Sequence, residues 1–534
     1  MASGDEHEAA HWRAEAERWQ AEARRLAKAN EALEAKIAAL IEKVATLAKL
    51  VFGISSEKKS DAPGAKSPEG AGGDGEHGAS AKRRRGQQPG SAGHGRRDYS
   101  DLETEEEVHD VPEGERVCPK CGAPYVAFGE ETYEQIDWQV RIVRVVHRRP
   151  TYRRTCHCPV PGVLAAAVPA KAIPKGRFTA LFLARLLVEK YVLGRPLSRI
   201  VSALGNDGLE VSPGTLVGAL RALLELLAPL DQAIRSRNAE ASHLHVDETS
   251  WRVFEKVANK ENHRWWLWVF CGPDTVVFVI DPTRSATVVT SHLGIEPGAG
   301  SLETRRRLLV SSDFYSVYQS LAGLDGYEPL WCFAHIRRYF IRAADAHKEL
   351  KGWTAAWLER IGALYLAHRA LQSAEVGSNE HDQATLAFTD AFAEMDVARH
   401  KEAADKSLHP AAYKVLATLD HEWEGLLRHA ELPELPLDNN AAERALRNPV
   451  VMRKNCYGSG ARWAATLAAR VWTITATASK FGANPLSYLT SYLDACAKAG
   501  GRAPQGEALE AFFSWAAADT DLTRWCNAPP GPSP

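Results

Sequence analysis

No stretch of this chain runs apolar for the roughly 18 residues a membrane-spanning helix requires, and its beginning, MASGDEHEAAHW, is too acidic and polar for a secretory signal. Cysteine is scarce. Nine among 534 residues, an odd number without such a signal, argue against a disulfide framework and for a reducing, cytoplasmic compartment. Net charge is also lacking: 65 Lys and Arg against 67 Asp and Glu leave −2, so no overall basicity announces a polyanionic partner. The 45% hydrophobic share is ordinary for globular protein. The chain is too long for one core, so several domains and no membrane partner are expected.

The balanced total conceals segregation. Lys82 to Arg97 holds six basic residues and no acid, and Arg141 to Arg154 six arginines and no acid. Between Glu443 and Asp494 come Arg444, Arg447, Arg453, Lys454, Arg462, Arg470 and Lys480, again without an acid. One such run is usually solvated surface; three fit phosphate contact. Arg83, Arg84, Arg85, Arg144, Arg148, Arg444, Arg447, Arg453 and Lys454 are the candidate contacts to double-stranded DNA.

Trp12, Trp19, Leu26, Leu33, Leu40 and Leu47 recur every seven residues, and Ala16, Ala23, Asn30, Ile37, Val44 and Val51 fill the second series. Residues 8–53 therefore read as a parallel coiled coil of about five heptads, with Asn30 fixing the register of a homodimer. Residues 54–98 are Ser, Gly, Ala, Pro and charge without apolar periodicity, a disordered basic linker. It serves either as a plain tether or, through Lys82 to Gly86, as an arm for a minor groove.

Residues 99–170 contain Cys118-Pro-Lys-Cys121 and Cys156-His-Cys158. Four thiolates suit a structural zinc ion with no position left for water, as in a zinc ribbon. The second pair is tighter than C-x-x-C, which leaves His157 as an alternative to one thiolate. Residues 171–238 are helical, broken at Gly194-Arg195-Pro196 and between Gly205 and Gly208. Ser212 as cap and Pro213 at the first position begin the second helix of a helix-turn-helix-like pair, with Thr215 and Arg221 as groove contacts. Leu216, Leu220, Leu223, Leu224 and Leu227 describe an ordinary helical bundle equally well.

Three acids stand in contexts that would aim them at one place. Asp247 lies in an alternating run, with Leu244 and Val246 on one face and His245, Asp247 and Thr249 on the other; Glu248 belongs to the core-facing side. Asp313 follows the apolar run Leu308 to Val310. Glu443 falls one turn into a helix that Asp438, Asn439 or Asn440 would cap. Three such carboxylates suit a pair of hard divalent cations. Between them HRWWLWVF and TVVFVID, separated by Gly272-Pro273-Asp274, read as a hairpin continuing the Asp247 strand. A helix follows over Ser285 to Leu293, then strands over Leu308 to Ser312 and Pro329 to Phe333, then a helix from about Ala334. The result is a mixed sheet flanked by helices.

This order resembles the ribonuclease H-like core of DDE transposases. Asp438-Asn439-Asn440 before Glu443-Arg444, Leu446-Arg447, Arg453-Lys454-Asn455 and Gly458-Ser459 is similar to the insertion sequence 66 family of bacterial transposases. Asp247-Glu248-Thr249 and Cys332-Phe333-Ala334-His335 with Arg337-Arg338 are similar to it as well. The resemblance implies a multidomain α+β chain: a core over 239–344 and 434–497, a helical insertion over 345–433, and a tail over 498–534. It implies a zinc module at Cys118, Cys121, Cys156 and Cys158, and small companion proteins of the same element. It further implies Asp247, Asp313 and Glu443 holding two Mg²⁺ ions, with Mn²⁺ accepted in their place, for cleavage of transposon ends and strand transfer into target DNA. His335 and Arg338 are expected to position phosphate. A structure-specific nuclease would share the carboxylates without strand transfer, and a non-catalytic dimeric DNA-binding regulator would have no use for them.

Overall fold

The computed structural model describes residues 110–112, 115–116, 118–126, 515, 525 and 526, and residues 141–513 except 154, 156, 158, 160, 162, 257–261, 297–301 and 303–306. The expected coiled coil and linker, with Arg83, Arg84 and Arg85, and the cysteines Cys156 and Cys158 lie outside these residues. The chain divides into two units, Met1–Glu131 and Thr132–Pro534.

In the first unit the described residues form a tight turn. Gly122 N–H donates to the Cys118 carbonyl and Cys118 N–H to the Ala123 carbonyl, each at 2.8 Å. Gly122 takes φ +75°, a left-handed conformation that favours glycine.

The second unit begins with a short antiparallel pair, β1 (Thr151–Arg153) and β2 (Val163–Ala165). In sequence this pair brackets Cys156-His-Cys158; the Val, Ile and Arg stretch between the cysteine pairs suggested a hairpin, but residues 141–150 carry no regular element. Helices α1 (Ala180–Leu187), α2 (Leu197–Asn206), α3 (Pro213–Leu226) and α4 (Ala228–Ala239) follow. The Ser212 hydroxyl caps α3 by accepting the Thr215 N–H at 3.2 Å. Leu216, Leu220 and Leu223 are buried, so much of this helix is core.

The five-stranded sheet comprises β3 (His243–Arg252), β4 (Arg264–Cys271), β5 (Val276–Asp281), β6 (Leu308–Ser312) and β7 (Tyr327–Trp331), in the order β5-β4-β3-β6-β7. The first three are antiparallel; β6 runs parallel to β3, and β7 parallel to β6. Interior strand β4 buries Leu267, Trp268, Val269 and Phe270 completely, as expected of a strand covered on both faces. The crossover from β5 to β6 contains α5 (Ala286–Leu293), and α6 (Ser316–Leu321) lies between β6 and β7. β7 begins two residues earlier than the sequence suggested, because Tyr327 and Glu328 pair with Leu308 and Leu309.

After β7 come α7 (Phe333–Ala346), α8 (Lys351–Ser373), α9 (Asn379–Ala403), α10 (Pro410–His421) and the short α11 (Trp423–Leu427). Then follow α12 (Asn440–Cys456), α13 (Arg462–Lys480), α14 (Pro485–Lys498) and a final turn, α15 (Glu507–Glu510). Among the described residues no single helix is long and apolar enough to cross a membrane.

Both sheet edges are closed by helices, and the closures explain residue choices that looked arbitrary in sequence. Edge strands expose unpaired N–H and C=O groups. On β5, Phe278 N–H donates to the Thr473 hydroxyl at 2.9 Å and Val276 N–H to that of Thr477 at 3.0 Å. One turn of α13 thus matches two residues of strand. On β7, Arg428 donates to the Pro329 carbonyl at 2.8 Å and buried His429 to that of Trp331 at 3.0 Å. A β-carbon on Gly425 would lie 2.4 Å from the Trp331 indole, so only glycine allows α11 this close. The helical insertion therefore completes the sheet. The tail packs against α14 instead: Trp525 is buried, stacks on Phe512 at 5.6 Å, and its carbonyl accepts the Asn484 N–H that precedes α14.

Candidate active site

Asp247 sits on the face of β3 that α12 covers, and Glu248 on the opposite face. Backbone amides hold the two aspartates. Glu248 N–H donates to Asp247 Oδ1 at 2.8 Å, and Tyr315 N–H to Asp313 Oδ1 at 3.0 Å. Glu443 stands in the first turn of α12, whose start is shaped by Asp438 Oδ1 accepting the Asn440 N–H at 3.0 Å. The Glu443 carboxylate faces α7, with His335 Nε2 at 3.8 Å and Arg338 Nη2 at 3.6 Å.

The three acids share one electrostatic neighbourhood. The Asp247 carboxyl is pushed up to about 8, first by burial, then by the charge of Glu248, then by those of Asp313 and Glu443, against the opposing effect of the Glu248 N–H. Burial likewise lowers His335, while Asp313 and Glu443 oppose that shift. Nearby His243 and His245 are held neutral, lowered by burial to about 3 and about 4.

A carboxyl raised by burial and then by the charges of the acids around it marks a site that gains from positive charge. Its donors are all carboxylate oxygens, the set that hard divalent cations take. The residues therefore fit hard divalent cations better than a soft metal.

Glu248 is excluded from the site by its partners. It is buried, accepts from Arg284 Nε at 2.9 Å and Nη2 at 2.5 Å, and accepts from the Tyr318 hydroxyl. Arg284 in turn stacks over Tyr315 at 3.7 Å and Trp266 at 4.6 Å. Glu248→Gln keeps the shape of this network but not its charge. It is expected to lower stability by about 1–3 kcal/mol while the folded fraction retains its chemistry. Denaturant unfolding beside an activity assay separates the two, and an inactive variant of wild-type stability would move Glu248 into the site.

The cationic candidates divide. Arg337, Arg338, Arg444, Arg447 and Lys454 are exposed on α7 and α12, and Arg144 and Arg148 on the segment before β1. Arg453 is half-buried and donates to the Thr249 and Ser250 hydroxyls, at 3.0 and 3.1 Å, and to the Ser250 carbonyl, tying α12 to β3. In the helical region the Thr215 hydroxyl is 2.9 Å from that of Ser212, and Arg221 lies over the Trp463 ring at 5.9 Å.

In the first unit, the Cys118 thiol is lowered by backbone N–H groups of Lys120 and Cys121 and by the Cys121 thiol. Such a turn stabilises thiolates and fits a zinc ligand pair. Sequence reasoning did not single out a second group, His347, Glu349 and His409, whose donor atoms lie within 4.8 Å of one another. His409 Nδ1, however, accepts the Ala411 N–H at 3.1 Å as a cap of α10. Its Nε2 must then carry the ring proton, so it donates toward Glu349 at 3.4 Å and offers no lone pair to a metal.

Comparison with known proteins gives first the class, DNA-processing enzymes of the transposase type, through a family model described as the transposase IS66 family that matches residues 175–467. That span is more than half of the chain and contains all three acids; the chain belongs to the transposase IS66 family. It is also similar to three proteins of Sinorhizobium fredii (strain NBRC 101917 / NGR234) that carry the description uncharacterized. These are y4qI, 28% identical over 436 residues, covering 77% of this chain and 75% of the relative; y4jD, 25% over 402 residues, 71% and 74%; and y4hP, 24% over 422 residues, 74% and 72%.

Proposed function

We propose that this transposase binds the ends of its element and a target duplex, and performs 3′-end cleavage and strand transfer through Asp247, Asp313 and Glu443 on a ribonuclease H-like core. The observation that carries the reading is the convergence of three carboxylates from β3, the turn after β6 and the first turn of α12, on a sheet ordered β5-β4-β3-β6-β7. Asp247, which senses both other acids, would hold a Mg²⁺ pair together with Asp313 and Glu443. When bound, such a pair lowers the pKa of the attacking oxygen and stabilises the leaving one.

The protein's own residues prepare the site. The Glu248 and Tyr315 amides fix the aspartate rotamers in advance, which removes reorganisation from the reaction step. Arg338 and His335, beside Glu443, orient the scissile phosphate, and exposed Arg337, Arg444, Arg447 and Lys454 follow the backbone. Water attacks phosphorus as the bond to the 3′ oxygen breaks; the freed 3′ hydroxyl then attacks a target phosphodiester in the same in-line manner. Neither step needs a covalent enzyme intermediate.

Incubating the protein with labelled element ends, Mg²⁺ and a plasmid target tests this. Joined products are expected. Cleavage alone would favour a nuclease, and a mobility shift without reaction a DNA-binding regulator.

The same reading assigns a structural zinc to Cys118, Cys121, Cys156 and Cys158. Metal analysis should find about one zinc per chain, because such affinity is folding energy, and Cys118→Ser should release it; a zinc-free, folded preparation would remove the assignment. The heptads of residues 8–53 further propose a homodimer. Deleting residues 1–53 should reduce the mass measured by light scattering, and an unchanged mass would refute that interface.

A further inference from the structure

Apart from the Arg428 and His429 contacts to the β7 edge, the chain between β7 and α12 is fastened to β3 by the buried side chain of Asn439. Asn439 is 1% exposed. It occupies the position before the first turn of α12, yet its side chain caps nothing there. Instead Nδ2 donates to the Val246 carbonyl at 2.7 Å, on the peptide that leads into Asp247. Oδ1 accepts from His245 Nδ1 at 3.1 Å. The Asn439 N–H donates to the Cys332 thiol at 3.2 Å, at the junction of β7 and α7, and its carbonyl accepts the Glu443 N–H at 3.3 Å.

The chain of contacts continues beyond it. His245 packs against His243 with ring centroids 4.6 Å apart, and His243 Nε2 is 2.9 Å from the Ser311 hydroxyl on β6, two residues before Asp313. Every element that carries an acid is thus joined beneath the acids. Among the described residues Glu443 has no other tie of this kind to β3 within its turn: Arg453, which also reaches β3, is ten residues further along α12.

We propose that Asn439, held by His245, is a positioning residue that sets the separation of Glu443 from Asp247 and so the fit of the carboxylate cluster to its cations. Asparagine suits the place because one short side chain offers a donor to a carbonyl and an acceptor to an imidazole; aspartate cannot donate, and would add a buried charge. The inference rests on the carboxylate site proposed above, and its effect belongs to cation binding rather than to DNA affinity.

The test uses the full chain and Mn²⁺ alone, with the free-ion electron paramagnetic resonance signal reporting binding, so that no turnover is required. In the wild type, Mn²⁺ binding that Asp247→Asn abolishes is expected. Asn439→Ala should weaken that binding about 10–100-fold, the usual effect of removing a group that orients metal ligands, with DNA binding unchanged. Since Asn439→Ala leaves a hole beside buried polar groups, His245→Leu is the companion: it removes the ring's hydrogen bond, fills the space, and should weaken Mn²⁺ binding in the same direction. The double variant should be less than additive, because the two act as one unit. Lowered melting temperatures with unchanged Mn²⁺ binding in both variants would overturn the inference and leave the carboxylate site standing. Wild-type protein with no Asp247-dependent Mn²⁺ binding would overturn both.

Discussion

Asp247→Asn, Asp313→Asn and Glu443→Gln are each expected to abolish end cleavage and strand transfer, with losses of at least about 100-fold, the scale of removing one element of transition-state charge stabilisation. Each change keeps nearly the same volume while deleting a charge, so fold and DNA binding should survive. For Asp247 the stability effect has a sign that tests the site independently of turnover. Its carboxyl moves from an ordinary 3.8 to about 8 in the fold. A raised acid binds its proton more tightly folded than unfolded, so the metal-free protein loses stability as pH rises through the window between those two values. Asparagine cannot ionise and escapes this loss. Metal-free Asp247→Asn should therefore melt above the wild type at pH 8 and close to it at pH 4, and addition of Mg²⁺ should narrow the gap at pH 8. A variant that melts below the wild type throughout, or that still joins ends to target, would remove Asp247 from the centre of the site.

Gly458→Ala should be among the most destabilising single substitutions available outside the hydrophobic core. After α12 the chain crosses the end of β3: Ser459 N–H donates to the Arg252 carbonyl at 2.8 Å, Phe254 N–H to the Ser459 carbonyl at 2.9 Å, and Trp251 Nε1 to the Ser459 hydroxyl at 3.1 Å. Gly458 makes the crossing at φ +144°, and a β-carbon there would stand 2.3 Å from the Arg252 carbonyl oxygen. The obstacle is backbone and cannot swing aside. Strain of about 1–3 kcal/mol adds to the cost of pushing apart two paired segments, of similar size. Urea unfolding should show a lowered midpoint, whereas Ser459→Ala, which loses one hydrogen bond of about 1 kcal/mol, should be far milder. A wild-type midpoint for Gly458→Ala would show that the crossing yields more easily than its geometry indicates.

Much of the core was legible because its signals are local. The alternation around Asp247, the β-branched and aromatic runs of β4 and β5, and the Ser212-Pro213 helix start each depend on neighbours a few residues away. Alternation alone separated Asp247 from Glu248, since adjacent strand residues face opposite sides. Long-range pairings were not legible. Arg453 read as one more cation in a basic run, yet it bonds Thr249 and Ser250 across the core. Asn439 read as a helix cap, yet its amide turns to Val246 and His245. Residues 498–534 read only as a tail beyond the core, yet Trp525 within it is buried. Periodicity carries no information about which distant surface an exposed-looking polar or aromatic residue will meet.

The sequence by itself determined the strands β3 to β7 in their order and the segments in which the three candidate acids stand, because backbone propensity and side-chain period act within a turn or a strand. The tertiary structure alone decided that β6 enters beside β3 rather than beside β5, that the insertion closes the β7 edge through Arg428 and His429, and that the charges of the three acids meet. Those outcomes depend on satisfying every exposed strand edge and buried polar group at once, a condition that only the folded chain as a whole can meet.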